Sequence, residues 1–459
     1  MKVRDPWLAA IIFVSLALKM VLALSVEPIT PQNDENDYLN HARQIVDRQR
    51  YPEAFRPPLY PTFLALLFGT GCSTQEVRVA QVVLSTFSMI LVFATVSSVL
   101  TLGSARVAAA LVAFDPVQIG FSNLFWSETL YVFLLLSASY LLIQRFRTRR
   151  SANWVLGGIA LGLAGLTRAQ ILTFLPVLLV WLWWEQRRQR ECFARAMTSC
   201  ALILAGCAVV ILPWSIRNLH ATGAFVLVDT NGPFNFLVRT ERSACCVDKD
   251  DLRDRGWGMI DGLPYRDVAA EHPARVQHRA VRIALQNIID DPLRFVRKAI
   301  WEAGHLWTLD SFALRHRRNG WYERPISQGV VTTITIVSTL YSIFILSFGL
   351  VGCVGLSRCR LQSFSALILL HATVMGGLVY TLSRYAVPLR PFLSMLAAWV
   401  VTRQGRGGDV QGGSIDWRRW ALAGVVLVGL VSVWARDLPL LFDMVTSGGS
   451  GHQFHVIGN

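Results

Sequence analysis

Apolar runs long enough to cross a lipid bilayer recur along most of this chain, and they constrain its fold more than any other feature. A helix needs about 20 residues, most of them apolar, to cross roughly 30 Å of hydrocarbon. We count about eleven runs that approach or reach this length with hardly a charge inside them. They lie at 7–26, 77–100, 103–120, 124–144, 153–168, 170–184, 196–214, 328–356, 363–382, 386–402 and 419–436. The sequence therefore predicts an all-α, polytopic membrane protein.

The overall composition leads to the same prediction. Of the 459 residues, 53% are hydrophobic and only 16% are charged, which is too apolar for a water-soluble domain of this length. The net charge of +14 is also found in proteins that bind nucleic acids. Here much of the excess lies in short loops between apolar runs, so we expect no nucleic-acid binding.

The positions of lysine and arginine predict the orientation, because basic loops remain on the cytoplasmic side. Basic clusters precede the first run and follow the fourth, sixth, eighth and tenth runs. They share one face if the N-terminus is cytoplasmic. The loops at 27–76 and 215–327 then face outward, across the cell membrane. Residues 2–26 also resemble a cleaved signal peptide, but their apolar region is longer than a typical signal core, so we expect a retained span.

The first outward loop contains a compact polar stretch from Asp34 to Pro61. Apolar residues recur at helical spacing between Glu35 and Val46, which predicts a short amphipathic helix along the membrane surface. At the start of this helix, Asp34 has two interpretations. It is either an N-terminal cap, with Asp37 three residues further on, or a functional carboxylate. Prolines then fix the backbone around Arg56, which is either an interfacial anchor or a ligand-binding cation.

Several cations lie at the outward ends of spans, where the orientation does not require them. They are Arg56, Arg168, Arg217, Arg384 and Arg390. One such arginine alone is usually an anchor, but a group of them beside an acidic loop is well placed to hold an anionic head group such as a lipid phosphate. Glu128 and Lys19 are further candidates for this charged cleft, although Lys19 is also placed to snorkel outward from the first span.

These residues occur in an order that resembles the GT-C superfamily of polytopic glycosyltransferases. The similarity is to its bacterial branch, with the protein O-mannosyltransferases and lipid A aminoarabinose transferases. The matching motifs are Asp34-Glu35-x-x-Tyr38, Arg56-Pro57-Pro58-Leu59-Tyr60-Pro61, Trp126–Leu130, Gly165–Arg168, Pro213–Asn218 and Arg384-Tyr385. The resemblance implies a GT-C-like helix bundle, a sugar donor on a polyprenyl phosphate, and a lipid, glycan or protein acceptor on the outer face.

The resemblance also implies a role for each residue. Because a polyprenyl phosphate is already a good leaving group, transfer requires a carboxylate to take the acceptor proton and cations to stabilise the phosphate. Asp34 is the expected base, and Glu35 is the alternative. The expected phosphate ligands are Arg56, Arg217, Arg384 and Arg168, and the expected supporting residues are Tyr38, Tyr60, Glu128 and Tyr385. A single displacement with inversion is implied by the family.

The sequence departs from the family pattern in two places. Some relatives have an acidic residue before the basic residue of the Pro-Pro motif, as part of a metal site, whereas Phe55 stands there in this chain. A divalent metal is therefore possible but not indicated. The long C-terminal soluble domain of some relatives has no counterpart here, so we expect one membrane module over residues 1–459 and acceptor recognition within 215–327.

The large second loop has its own predicted organisation. It is rich in Gly, Asp and Arg up to about residue 267, and helices are then expected at 269–289 and 292–308, with Pro292 in a first turn. Asp248-Lys249-Asp250 matches a nucleotide-sugar motif that is common by chance, so use of a nucleotide sugar is disfavoured. Cys72 could form a disulfide with Cys245 or Cys246 if all three are external.

Two functions from other classes remain possible on this sequence. A secondary transporter or lipid flippase would show repeated halves and polar sites near the midplane, but no such halves are visible, and His371 is the clearest polar residue deep in a span. A noncatalytic assembly partner would not require Asp34. The sugar, the acceptor, the polyprenol length and the oligomeric state do not follow from the sequence.

Overall fold

A computed structural model describes residues 5–25, 34–48, 51, 54–148, 150–240, 273–309, 327–355, 359–379, 381–403 and 417–446. All regular elements in these ranges are helices. The first ten are α1 (Pro6–Ser25), α2 (Asp34–Arg48), α3 (Leu59–Gly69), α4 (Thr74–Val99), α5 (Leu102–Ala113), α6 (Pro116–Phe121), α7 (Glu128–Thr148), α8 (Ala152–Thr167), α9 (Leu175–Arg188) and α10 (Phe193–Thr222). The others are α11 (Asn231–Thr240), α12 (Pro273–Asp290), α13 (Pro292–His305), α14 (Gln328–Gly355), α15 (Arg360–Leu378), α16 (Arg390–Arg403) and α17 (Trp417–Thr446). Short 3₁₀ helices at Ala169–Phe174 and Ser383–Leu389 precede α9 and α16.

The prediction of an all-α, polytopic membrane protein is confirmed. Seven helices in the described part of the chain are long and apolar enough to cross a membrane, and α3, α5 and α8 are shorter apolar helices. Each predicted apolar run coincides with helix, although the run at 103–120 is divided. The first helix of that run, α5, ends at Ala113, and Asp115 caps α6 by accepting a hydrogen bond from the Val117 amide at 2.9 Å.

Glycines allow the closest helix contacts in the bundle. A Cβ atom on Gly158 of α8 would collide with the carbonyl of Ile203 on α10, and one on Gly206 would collide with the carbonyl of Val155. Small residues at such crossings let two membrane helices pack backbone to backbone. The close pairing of α8 and α10 therefore fixes the ends of two helices that lead to Arg168 and Arg217.

The second large loop begins later than residue 215, because α10 continues to Thr222 with Pro213 inside it. The chain then folds back along the end of this helix. Trp214 Nε1 donates to the Val228 carbonyl at 2.8 Å, and Asn218 donates to the carbonyls of Val226 and Val228. The polar end of α10 is helical because this returning segment satisfies its side chains, which the hydropathy pattern alone does not indicate.

The helices predicted in the second half of this loop are confirmed as α12 and α13. Pro292 occupies the first turn of α13, and Asp291 caps that helix by accepting from the Arg294 amide at 3.0 Å. Residues 241–272 lie outside the described part of the chain. That range includes Asp248-Lys249-Asp250 and the proposed disulfide partners of Cys72.

Candidate active site

Asp34 lies at the centre of a cluster of charged side chains. Its Oδ1 atom accepts a hydrogen bond from Arg56 at 2.6 Å, and its Oδ2 atom accepts one from Arg384 at 2.5 Å. Arg384 is 350 residues away along the chain, so only the fold brings the two together. The three side chains are 12–19% exposed, which means that they are partly shielded but within reach of a ligand.

The ion pairs continue beyond Asp34 to Glu128 and Arg168. Glu128 Oε1 lies 2.5 Å from Arg168 Nη1 and 3.9 Å from Arg384 Nε. The Tyr385 ring lies 4.9 Å from the Arg168 guanidinium, and the Trp126 ring lies 4.1 Å from that of Arg384. Five predicted site residues from four separate motifs are therefore brought together: Asp34, Glu128, Arg168, Arg384 and Tyr385.

The two aspartates at the start of α2 bind arginine side chains. Asp34 is the first residue of α2 in the described part of the chain, and its two carboxylate oxygens bind guanidinium groups. Asp37 Oδ2 accepts from Arg56 at 2.7 Å instead of completing a capping box with Asp34. Both aspartates thus hold Arg56, which links α2 to the Pro-Pro segment.

The second acidic residue of the motif points to a different environment. Glu35 Oε1 accepts a hydrogen bond from the Phe125 amide at 2.9 Å, which ties α2 to the segment before α7. Burial raises the pKa of Glu35 to about 7, although the Phe125 amide and the charge of Arg78 partly oppose this shift. Glu35 therefore connects α2 to the segment before α7, whereas Asp34 binds Arg56 and Arg384.

Two tyrosines, Tyr38 and Tyr60, pack against each other next to Arg56. The Tyr38 and Tyr60 rings meet edge to face with centroids 5.0 Å apart, and the Arg56 guanidinium lies 5.7 Å above the Tyr38 ring. The Tyr60 hydroxyl donates to Gln81 Oε1 at 2.9 Å, which connects α3 to α4. Both tyrosines thus pack next to the cluster, and Gln81 is a contact of Tyr60 that the motifs did not indicate.

Arg217 reaches the cluster through Tyr51. Its Nη2 atom donates to the Tyr51 carbonyl, and its guanidinium lies 4.8 Å from the Trp214 ring. The Tyr51 hydroxyl in turn donates to the Arg56 carbonyl at 3.1 Å. Arg217 therefore lies beside the segment that carries Arg56 and is linked to Asp34 through Tyr51 and Arg56.

Asp229 also lies near Arg56, although no motif pointed to it. Its Oδ1 atom accepts from the amides of Asn231 and Gly232 at the start of α11. The next residue, Thr230, donates its amide to the Ala54 carbonyl at 2.9 Å. Burial raises the pKa of Asp229 to about 6, while those two amides and the charge of Arg56 oppose the shift.

Two expected members of the charged cleft pair with groups other than Asp34 and Glu128, although Arg390 lines the same cavity as Arg384. Lys19 is fully buried in the bundle and donates to Ser85 Oγ at 2.9 Å, so it neither snorkels nor joins the site. Arg390 forms a two-point ion pair with Asp115, at 2.6 and 2.9 Å. Both cations have buried polar partners that their positions in the sequence did not reveal.

The cluster retains donors that could receive an anion. Among the described residues, the Nε atoms of Arg56 and Arg384 are buried and have no hydrogen-bond partner. A buried guanidinium N–H without an acceptor is costly, and a ligand oxygen would satisfy it. A cavity next to Arg384 is lined mainly by apolar side chains, among them Phe121, Leu306 and Trp307. An anionic group with an apolar tail fits these two features.

A metal site formed by protein carboxylates does not fit this donor set. Both Asp34 oxygens bind guanidinium groups, and Phe55 places its ring 5.4 Å from the Arg56 guanidinium where some relatives have an acidic ligand. Within the described ranges, no group of three or more His, Cys, Asp or Glu side chains is arranged to hold an ion. We therefore derive no step through a metal.

Comparisons with known proteins agree with this architecture. Residues 55–216 match a family model described as dolichyl-phosphate-mannose-protein mannosyltransferase, which is less than half of the chain. A search of curated proteins finds no match. The apo oligosaccharyltransferase of Archaeoglobus fulgidus aligns with a TM-score of 0.50 and 14% identity over 98% of this chain and 57% of that one.

Two ligand-bound structures are also similar. AglB from Archaeoglobus fulgidus, in complex with an inhibitory peptide and a dolichol-phosphate, aligns with a TM-score of 0.49 and 14% identity over 98% of this chain and 56% of that one. ArnT from Cupriavidus metallidurans, bound to undecaprenyl phosphate, aligns with a TM-score of 0.43 and 14% identity over 88% and 79%. This chain spans little more than half the length of the archaeal enzymes. It has the fold of the GT-C membrane glycosyltransferases and resembles, over residues 55–216, the mannosyltransferase family.

Proposed function

We propose that this protein transfers a sugar from a polyprenyl-phosphate-linked donor to an acceptor at the Asp34 cluster. The observation that carries the proposal is the contact of one carboxylate, Asp34, with two arginines that each keep an unsatisfied Nε donor. A base and an anion-binding pair are thus combined in one site. The fold, and a family match whose description names a dolichyl-phosphate donor, support the same activity.

The proposed reaction is a single displacement at the anomeric carbon of the donor sugar. The acceptor oxygen forms a bond to this carbon, and the bond from the carbon to the phosphate oxygen breaks. Asp34 takes the acceptor proton, and the leaving electron pair goes to the phosphate. No general acid is needed because the polyprenyl phosphate is stable as an anion. A positioned base contributes roughly 10²- to 10⁴-fold to such a rate.

Arg384 and Arg56 are the proposed ligands of the phosphate, with Arg168 and Arg217 close by. Each of the first two can keep its Nη2 bond to Asp34 while its Nε atom bonds to a phosphate oxygen. Charge-assisted bonds of this kind are about twice as strong as neutral ones. Binding of the donor would also remove the penalty of the two unsatisfied Nε groups.

The apolar cavity next to Arg384 is the proposed location of the first isoprene units of the donor. Its wall is formed by α6, by residues that follow α13, by α14, by the 3₁₀ helix that carries Arg384, and by the start of α16, including Arg390. The acceptor would then approach from the side of residues 215–327. Its class, whether lipid, glycan or protein, and the transfer of a hexose or a pentose are separate questions that the donor assay below addresses.

We also propose that the site faces the periplasm or exterior, with the N-terminus in the cytoplasm. In a background without native thiols, single cysteines at Asn40 and Gly262 should react with an impermeant maleimide in intact cells. A cysteine at Gln411 should not react. Reaction at Gln411 alone would place the site on the cytoplasmic side.

The function is tested with purified protein in proteoliposomes and a panel of polyprenyl-phosphate-linked sugars. We expect release of free polyprenyl phosphate that depends on an extract of envelope lipids, glycans or proteins, and mass spectrometry of that extract identifies the product. A variant with Asp34→Asn is the matched control. Movement of an intact labelled donor across the bilayer without bond cleavage would instead support the flippase interpretation.

A further inference from the structure

Helix α13 and the residues just after it pack against the C-terminal end of α15 and against the middle of α17, close to the site. Gly377 of α15 lies directly against the Ala299 carbonyl, and a Cβ atom there would be 2.7 Å from that oxygen. Just after α13, Trp307 Nε1 donates to Thr373 Oγ1 at 3.2 Å, and the Trp307 carbonyl accepts from Trp434 at 3.0 Å. These contacts join α13 to both α15 and α17.

One face of α13 contacts the backbone that leads to Arg384. Glu302 is 7% exposed, and its Oε2 atom accepts a hydrogen bond from the Thr381 amide at 3.1 Å. Thr381 itself is 2% exposed. The 3₁₀ helix that carries Arg384 begins two residues later, at Ser383. Glu302 therefore anchors the backbone just before the 3₁₀ helix from which Arg384 contacts Asp34.

The opposite face of α13 presents a stripe of large apolar side chains. Leu293, Val296 and Ile300 are 69%, 50% and 70% exposed, and Ile289 at the end of α12 continues the stripe at 71%. At about 100° per residue, this stripe lies on the other side of the helix axis from Glu302. The exposed cation Arg297 borders the stripe. A helix with one apolar face and cations beside it is typical of the lipid interface.

We propose that α13 is an interfacial helix that rests on the bilayer and that Glu302, on its inner face, is a positioning residue for Arg384. The stripe lies on the exposed side of α13, which packs beside the C-terminal end of the membrane span α15 at Gly377, so we place the stripe at the level where that span ends. Arg297 is complementary to anionic lipid head groups at that boundary. The role of Arg384 in this inference rests on the proposed function.

The positioning role is tested with Glu302→Ala and Glu302→Gln. Glutamine retains an oxygen that accepts from the Thr381 amide, whereas alanine does not. We expect Glu302→Ala to raise the donor KM roughly tenfold with little change in kcat, as for the loss of one hydrogen bond to a charged group. Glu302→Gln should stay near wild type. An unchanged KM in Glu302→Ala, or an equal loss in both variants, would overturn the role.

A second measurement does not depend on catalysis. Hydrogen exchange of a peptide that covers residues 379–385 should be faster in Glu302→Ala than in wild type and Glu302→Gln. Equal protection in all three would overturn the positioning role even if no sugar transfer were found. Absence of transfer in the wild type would count against the proposed function and leave this measurement interpretable.

The bilayer contact is tested by spin labels at single cysteines in proteoliposomes that contain anionic lipid. A label at Ile300 should be more accessible to oxygen than to a polar nickel reagent, whereas a label at the exposed Gln286 should show the reverse. Equal access of the nickel reagent at both positions would overturn the lipid contact. Protection of Ile300 from both reagents would also overturn it, because a protein surface would then cover the stripe.

Discussion

Arg384 and Arg390 are only six residues apart in the chain and each binds a carboxylate, but their hydrogen bonding differs. Arg390 binds Asp115 through Nε and Nη2 at 2.6 and 2.9 Å, and its Nη1 atom donates to Ser342 at 3.2 Å. Arg384 binds Asp34 through Nη2, but its Nε atom has no hydrogen-bond partner among the described residues. The side chains of Arg390 and Arg384 are 10% and 12% exposed.

The two arginines are therefore exposed to a similar extent, but they differ in how many of their guanidinium nitrogens have a protein acceptor. A guanidinium whose three nitrogens all have protein acceptors has few donors left for a ligand. The hydrogen bonds of Arg390 instead join α16 to the start of α6 and to α14. A guanidinium that keeps a buried N–H donor without an acceptor can still bind a ligand through that donor. We infer a structural role for Arg390, and the difference supports the proposed binding role of Arg384.

The largest expected effect is that of Asp34→Asn on turnover. Asparagine caps helices about as well as aspartate, and its amide oxygen can still accept from one guanidinium, so the protein should fold. Turnover should fall by roughly 10²- to 10⁴-fold because the amide cannot take the acceptor proton. Steady-state kinetics in proteoliposomes measures this loss. Full activity in Asp34→Asn would remove the central residue of the proposed site.

The Asp115–Arg390 pair should matter for stability rather than for donor use. Arg390→Met leaves a buried carboxylate without its partner, which typically destabilises a protein by about 3–5 kcal/mol. We expect a lower melting temperature and less protein in the membrane, with a donor KM in the remaining protein that changes far less than in Arg384→Ala. Adding Asp115→Asn, which retains the cap of α6, should restore much of the stability. A raised donor KM at normal stability would reverse the comparison.

Arg384→Ala should give the opposite pattern. Loss of a buried, hydrogen-bonded partner of a charge typically costs about 2 to 5 kcal/mol, so the donor KM should rise by well over tenfold. The protein should still accumulate in the membrane. Arg384→Lys should recover little, because an ammonium cannot bind Asp34 and a phosphate with the same planar fork. An unchanged dependence on donor would make Arg384 an interfacial anchor.

The smallest effect is expected for Glu35→Gln, and it should depend on pH. Burial raises the pKa of Glu35 to about 7, from a usual value of about 4.5. The contribution of protonated Glu35 to the free energy of unfolding is therefore fully present below pH 4.5, and it is lost as the pH rises through 7. Glutamine stays neutral and can still accept from the Phe125 amide. The melting temperature of Glu35→Gln relative to wild type should therefore increase between about pH 5 and pH 8, with turnover near normal. A loss of turnover as large as in Asp34→Asn would make Glu35 the base.

Much of the fold could be predicted from the sequence because hydropathy and helix signals act locally. Apolar runs predict membrane helices wherever they occur, since the bilayer leaves few other ways to satisfy the backbone. Pro292 marked the start of α13 for a similarly local reason. The end of α10 was placed too early because its polar side chains are satisfied by residues 224–230, which return from the following loop.

The sequence by itself determined an all-helical membrane bundle and most of the residues in its charged cluster, through motifs that are each local in the chain. Only the tertiary structure decided how those residues are used. Asp34 and Glu35 are neighbours on one helix, but a rotation of about 100° between them places one on two arginines and the other on the Phe125 amide. Lys19 and Arg390 were expected in the cluster but pair with other groups, and Asp229 was not expected near it. Such hydrogen bonds between distant segments depend on which groups the fold brings within about 3 Å.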